Sequence, residues 1–280
     1  MDRADVSGSN RDLAMVRLAL GVEYCGRQFE GWQTQPHGRT VQDVLQAAVA
    51  KIAGSPVELV CAGRTDTGVH ASAQVVHFDA GVERPLSAWV RGVNAHLPDN
   101  VVVTWAREVT PDFHARFSAR SRMYRYLLLN RPVRPALLSG RVGWYHAPLD
   151  VDEMSRAVQS VIGEHDFSAF RAAGCQAHSP IRTMARARVW REQDWVIFDF
   201  EANAFLHHMI RNLVGALVFI GKGAGDASTM AGLLSQRDRR ASPPTFSPDG
   251  LYLCGVSYPP GWNLPGDGRI IAPLFLPALN

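Results

Sequence analysis

The stretch Thr40–Phe78, TVQDVLQAAVAKIAGSPVELVCAGRTDTGVHASAQVVHF, carries the reading of the fold. Val41, Val44, Leu45, Ala48, Val49 and Ile52 recur at spacings of three and four, so Thr40–Ala53 is predicted as an amphipathic helix with Thr40 as its N-cap. Val57–Cys61 and Gln74–Phe78 read instead as short strands around a polar, glycine-bearing loop. Working outward, Leu13–Tyr24 is strand-like, Pro85–Leu97 a second helix and Val101–Val109 another strand. The order is strand, helix, strand, strand, helix, strand.

The same order returns further on. Ser121–Asn130 reads as a strand, Val151–Ile162 as a helix, and Ile181–Arg191 with Trp195–Ala202 as paired strands. Phe205–Ile220 reads as a long helix and Leu251–Tyr258 as a closing strand. Inserted material lies at Arg131–Pro148 and Phe167–Ser179, and a further helix fits Ala227–Ser235. Each half is thus a split βαβ, ferredoxin-like unit and the class is α+β; the repeat is one of pattern, without close identity. Such units place helices on one sheet face and leave the other free, a layout that RNA-binding domains use, although fold alone does not establish function. The expected division is a flexible polar tail (1–12), a first half carrying the glycine-bearing loop (13–111), a second half with insertions (112–265) and a C-terminal extension (266–280).

Composition narrows the classes. With 46% hydrophobic and 20% charged residues in 280, the chain reads as an ordinary soluble globular protein, expected in the cytoplasm. The most apolar run, Phe205–Gly221, is interrupted by His207, His208, Arg211 and Asn212, which a membrane span tolerates poorly. Cys25, Cys61, Cys175 and Cys254 form no CxxC pair, and neither HExxH nor an EF-hand loop occurs, so no disulfide framework, metal or cofactor is expected. A net charge of +3 is too small to announce a nucleic-acid partner. Its distribution says more: of 29 basic residues only Lys51 and Lys222 are lysines, and Arg107–Arg134 holds seven arginines against Glu108 and Asp112. Arginine's planar fork suits phosphate and stacks on bases, while the alternative is a chain that simply prefers arginine on solvated faces.

The candidate chemistry begins in Cys61–His70, CAGRTDTGVH, where Gly63 and Gly68 bracket four polar residues between two strands. A nearby guanidinium such as Arg64 favours the charged form of a carboxylate, and an ionised, positioned Asp66 can act as nucleophile or base. The plain alternative is an Asp that closes a hairpin turn. Asp66-Thr67-Gly68 also raises an aspartic-protease reading, but that chemistry needs a second such triplet and none is present. In Arg122-Met123-Tyr124-Arg125-Tyr126, period two puts Arg122, Tyr124 and Tyr126 on one strand face, which suits a stacked base or covers a core edge. Arg182, Arg186 and Arg188 likewise share one face, either phosphate-facing or merely solvated. His207 and Arg211 lie four apart on one face of the long helix; Arg211 needs a partner, for which Asp66 is a candidate, and the paired histidines read as core residues rather than metal ligands.

Together these segments carry a resemblance. Glu30–Gln33, Gly63–Ala71, Gln74–Phe78, Phe113–Ala119, Tyr124–Tyr126, His207–Asn212 and Gly250–Leu253 are similar, in the same order, to blocks of the tRNA pseudouridine synthase A family, and the match runs from about Val16 to Tyr258. The resemblance implies conversion of uridine to pseudouridine at positions 38, 39 and 40 of the tRNA anticodon stem-loop, by detaching uracil, turning it and rejoining it through carbon, with no cofactor or metal. It implies two ferredoxin-like halves joined through a mixed, largely antiparallel sheet with helices on one face, and a homodimer gripping tRNA. By the same resemblance Asp66 is the catalytic aspartate, Arg64 and Arg211 the active-site arginines and Tyr124 the base-stacking tyrosine. Phe113, His114, Ala115, Arg116 and Phe117, and Gly174, Cys175, Gln176, Ala177 and His178, correspond to stretches that contact tRNA. The second reading is a catalytically silent tRNA-binding protein on the same scaffold.

Overall fold

The computed structural model describes residues 15–265, so the expected tail and C-terminal extension lie outside the described residues. In chain order the strands are β1 Val16–Tyr24, β2 Val60–Cys61, β3 His70–Ala80, β4 Val101–Glu108, β5 Ser121–Asn130, β6 Gly143–Tyr145, β7 Gly163–Asp166, β8 Ile181–Glu192, β9 Trp195–Ala202 and β10 Leu251–Ser257. The α-helices are α1 Val41–Ala53, α2 Val151–Ala157, α3 Met209–Gly221 and α4 Ser228–Gln236. One sheet takes in every strand, ordered β4-β1-β3-β10-β5-β9-β8-β7, with β2 on β3 and β6 on β5.

That order is the same motif twice. The first four strands stand as β4-β1-β3-β2, and β5, β8, β9 and β10 stand as β10-β5-β9-β8, which is fourth-first-third-second in each case. Pairing is antiparallel except where β6 joins β5 and where β10 runs parallel to the start of β3. That second junction is the seam between the two motifs, with Tyr252 opposite His70 and Leu253 opposite Ala71.

Local chemistry accounts for the elements. At the start of α1 the Thr40 hydroxyl accepts from the Asp43 N–H while the Asp43 carboxylate accepts from the Thr40 N–H, and Gly54 closes the helix at φ 73°. Along β5, Tyr124, Tyr126 and Leu128 turn toward the main core, which also takes the buried residues of α1, α2, α3 and α4. Leu127 and Leu129 turn the other way, into a smaller core with Ile197, Tyr252 and Val142 under the inserted segment. On that same side Arg125 donates to Asp199 at 2.7 and 2.8 Å, both side chains almost wholly buried, so removal of either partner alone would strand a charge.

Several expected boundaries change. β2 is two residues long rather than five, and β3 extends well beyond Gln74–Phe78 because it pairs with β1 through its length. The expected helix Pro85–Leu97 contracts around a turn of π-type winding, Ala88–Gly92, and Val151–Ile162 passes from α2 into a 3₁₀ turn at Val158–Val161. The long helix begins at Met209, not Phe205, because His208 takes a left-handed backbone, φ 60° and ψ 4°. The arginine stripe of β8 is also broken. A register shift between Met184 and Arg186 flips the alternation, so Met184, Ala187 and Val189 face the main core. Arg182 thereby turns into the cleft described below, whereas Arg188 lies 5.8 Å from the Trp190 ring on the opposite face.

Candidate active site

Asp66 sits on the loop between β2 and β3, 22% exposed, and the loop is held from beneath by side chains that its own sequence does not contain. Gln74, wholly buried, donates to the Gly63 carbonyl at 2.6 Å and accepts from the Gly63 N–H at 3.4 Å. The Tyr24 hydroxyl meets Thr65 Oγ1 at 2.8 Å, and the Trp32 N–H donates to the Thr65 carbonyl at 3.0 Å. This close approach needs glycine at 31: the residue has φ 86°, and a Cβ would stand 2.9 Å from the Thr65 carbonyl oxygen. From the other motif the buried Arg122 guanidinium donates to the Ala62 carbonyl at 2.9 and 3.2 Å. Tyr24, Thr65 and Gln74 were not foreseen as site residues. The signal was an amide inside an otherwise apolar strand, which must find partners wherever it is buried.

The catalytic candidates converge from both motifs. Arg211, in the first turn of α3, reaches Asp66 Oδ2 at 3.3 Å while its Nε donates to the Phe246 carbonyl at 2.9 Å. The loop bearing Phe246 lies against α3 because Gly215 has no side chain; a Cβ there would come within 2.3 Å of the Pro244 carbonyl oxygen. His207 Nε2 lies 3.4 Å from Asp66 Oδ1 and His208 Nε2 3.5 Å from Oδ2. The carboxylate therefore rests beside the positive end of α3 as well as beside a guanidinium.

Two expectations give way here. Arg64 is exposed and, among the described residues, forms no ion pair with Asp66; Arg211, the less exposed arginine, supplies that contact from α3. The histidines are not core residues: their side chains are 44% and 29% exposed and both point at the carboxylate. His207 precedes the helix, so it shares no helix face with Arg211. Burial pushes the His208 imidazole below the usual histidine range against the pull of Asp66, and His207, Arg211 and Arg239 push the same way. Asp66, His207 and His208 bring one ligand atom each within 4.8 Å, a set able to hold a divalent ion, though the Arg211 charge on the same carboxylate opposes one.

A cleft of 1120 Å³ opens over Asp66. Tyr124 lies in its wall, its ring edge-on to Phe205 at 5.2 Å, and burial drives its phenol well above the usual tyrosine range. Arg64, Arg116, Arg182, His114, Phe117 and the segment Gly174–His178 line the rest. That segment is braced by Arg171, which donates to the Cys175 and Ala177 carbonyls at 2.6 and 2.8 Å. Phe113 and Ala115 are wholly buried and anchor their loop, while Phe117 stands 75% exposed, stacked on His114 at 4.3 Å. Among the seven arginines of Arg107–Arg134, Arg122 and Arg125 are spent inside the sheet.

An arginine-lined cleft over the Asp66 carboxylate invites comparison with known proteins. A model of the tRNA pseudouridine synthase family matches residues 4–118 and 157–259. The chain belongs to that family. Among its relatives, the tRNA pseudouridine synthase A of Aromatoleum aromaticum (strain DSM 19018 / LMG 30748 / EbN1) is 63% identical over 256 residues, covering 91% of this chain and 97% of the relative. That of Dechloromonas aromatica (strain RCB) is 61% identical, covering 89% and 95%. Among solved structures, a Cbf5-Nop10-Gar1 complex matches with a TM-score of 0.37 and 17% identity over 73% of this chain and 45% of that one, a likeness too slight to build on. Family membership makes the chain an isomerase of tRNA uridines.

Proposed function

We propose that this isomerase converts uridine to pseudouridine at positions 38, 39 and 40 of the tRNA anticodon stem-loop, with Asp66 as nucleophile. The observation that carries the reading is the Asp66 carboxylate in the cleft, met by Arg211 at 3.3 Å and by two imidazoles. A stacked, paired uridine cannot offer its C1′ or C6 to a carboxylate, so the nucleotide is flipped out. Tyr124 receives the base, Arg211 orients the nucleophile, and Arg64 with Arg116, Phe117 and Gly174–His178 holds the backbone at the rim. Phe113 and Ala115 serve by fixing the shape of that loop. The protein works as a cytoplasmic homodimer in this reading, which family resemblance supports. Isomerisation within one nucleotide is redox-neutral, so it calls for no cofactor.

Asp66→Asn keeps the size and polarity of the side chain but can neither attack carbon nor take up a proton. It is expected to abolish pseudouridine formation and leave tRNA affinity nearly unchanged. Tritium release from tRNA carrying 5-tritiated uridine checks this, and substantial turnover by the variant would sink the assignment. A purified wild-type protein that binds tRNA yet leaves no pseudouridine by mass analysis would establish the silent-binder reading instead.

A further inference from the structure

Two imidazoles face the carboxylate, and the chemistry described so far uses neither. We propose that His208 is the base that removes the C5 proton of the rejoined uracil. The role rests on the reading of Asp66 as nucleophile.

Backbone geometry singles out this residue. His208 occupies the N-cap of α3 with φ 60° and ψ 4°, yet its side chain makes no capping hydrogen bond. A non-glycine residue in this region is uncommon, although histidine tolerates it better than most, and an N-cap is normally chosen for a side chain that caps. Here the side chain is turned to the carboxylate, with Nε2 at 3.5 Å from Oδ2. Whatever Asp66 bonds to is therefore within reach of that nitrogen.

Elimination points the same way. Arg211 and Arg64 have no acceptor, and the Asp66 carboxylate, once released by the sugar, is left paired with Arg211 at 3.3 Å, which weakens it as a base. Tyr124 would have to ionise first, which its burial opposes. His207 also faces the carboxylate, but it is the more exposed ring and lies outside the strained position. The charged and titratable groups around His208 are Asp66 on the β2–β3 loop, His207 beside it, Arg211 on α3 and Arg239 beyond the end of α4. Burial lowers the imidazole's pKa against the pull of Asp66, and His207, Arg211 and Arg239 act in the same direction as burial.

Written for attack at C1′, the step balances without a co-reactant. Attack by C5 on C1′ frees the carboxylate and leaves C5 carrying both ribose and hydrogen. The C5–H bond then breaks and its electron pair becomes the C5=C6 bond. The C6=N1 pair returns to N1, which takes up a proton from water, while Nε2 takes the one lost from C5 and then gives it back to water. The ring regains its conjugation, so a weak base suffices.

The test compares His208→Asn and His208→Gly with the wild type in single-turnover reactions, on tRNA made with ordinary or 5-deuterated uridine. Both variants should lose roughly 10²–10⁴-fold in rate while keeping tRNA affinity. Both should show a primary deuterium isotope effect larger than that of the wild type, because loss of the C5 hydrogen has become limiting. His208→Gly should melt no lower than the wild type, since glycine adopts φ 60° freely, so its lost rate is not a lost fold. A wild-type rate in either variant overturns the proposal. So does a slowed reaction with an unchanged isotope effect, which would make His208 a positioning residue. Asp66→Asn, run alongside, reports on the nucleophile by itself: turnover there overturns that reading whatever the histidine variants do.

Discussion

His70 is held as a neutral ring by its hydrogen bonds. Its Nδ1 accepts from the Gly26 N–H at 3.1 Å, its Nε2–H donates to the Asp249 carbonyl at 3.0 Å, and the ring stacks on Tyr252 at 4.6 Å. Burial lowers its pKa from 6.5 to about 4, against the pull of Asp249. His77, whose Nδ1 accepts from the Ala115 N–H, is likewise lowered to about 4, by burial and by the nearby His114 and Arg17. Between pH 6.5 and 4 the unfolded chain thus binds more protons at these positions than the folded one, so stability rises with pH there. The contribution is fully present above about pH 6.5 and is lost as pH falls toward 4. The urea midpoint should drop between pH 7 and pH 4.5, and less steeply in His70→Gln; equal slopes would show that the carboxylates dominate the titration. Residues of this scale were unevenly legible in the sequence. Arg211 stood out because a charge within an apolar run needs a partner and Asp66 because glycines bracket it in a polar loop, whereas the stacking role of Tyr124 came from the resemblance. Arg64 was offered as the carboxylate's partner from nearness along the chain, and Arg211 from its need for a partner; the pair that forms is Arg211 with Asp66, across 145 residues.

Among the elements, the β2–β3 loop is held at Gly63 by a side chain outside it, that of Gln74. Gln74→Leu keeps the volume on β3 but leaves the Gly63 N–H and C=O without their partner, a loss of roughly 1–3 kcal/mol for buried groups. The loop then drifts, and a displacement of about 1 Å at a reacting group can cost on the order of a hundredfold in rate. Gln74→Leu should therefore lower the rate of pseudouridine formation far more than tRNA affinity, with a modest loss in urea stability. A wild-type rate would mean that Trp32 and Tyr24 suffice to hold the loop. Helix α1 was legible almost to the residue, because its apolar period and the Thr40–Asp43 cap agree. The start of α3 was not, since Phe205–Leu206 continues the apolar run while His208 breaks the backbone to serve the site. The bulge in β8 also escaped notice: one extra residue leaves no mark on composition but reverses which arginines share a face.

For the whole molecule, arginine is divided between structure and surface. Arg122 and Arg125 work inside the sheet, while Arg64, Arg116 and Arg182 remain at the cleft. If about six phosphates are neutralised in all, tRNA affinity should fall by roughly a thousandfold between 50 and 200 mM salt. A nearly flat plot of log affinity against log salt would make the cleft arginines decoration. The paired motifs were legible because strand order follows from the repeated pattern, but their joining came only through resemblance, since no local signal marks which strands meet at a seam. That seam has a consequence for how the protein is made. β10, at residues 251–257, lies between β3 and β5 although both are synthesised more than a hundred residues earlier. Until it leaves the ribosome, two half-sheets wait with facing edges unpaired, each able to bind the wrong strand. A message truncated before Leu251 would yield a nascent chain that carries Asp66, Tyr124 and Arg211 yet has no strand to bring them together, and its fate would fall to chaperones and proteases.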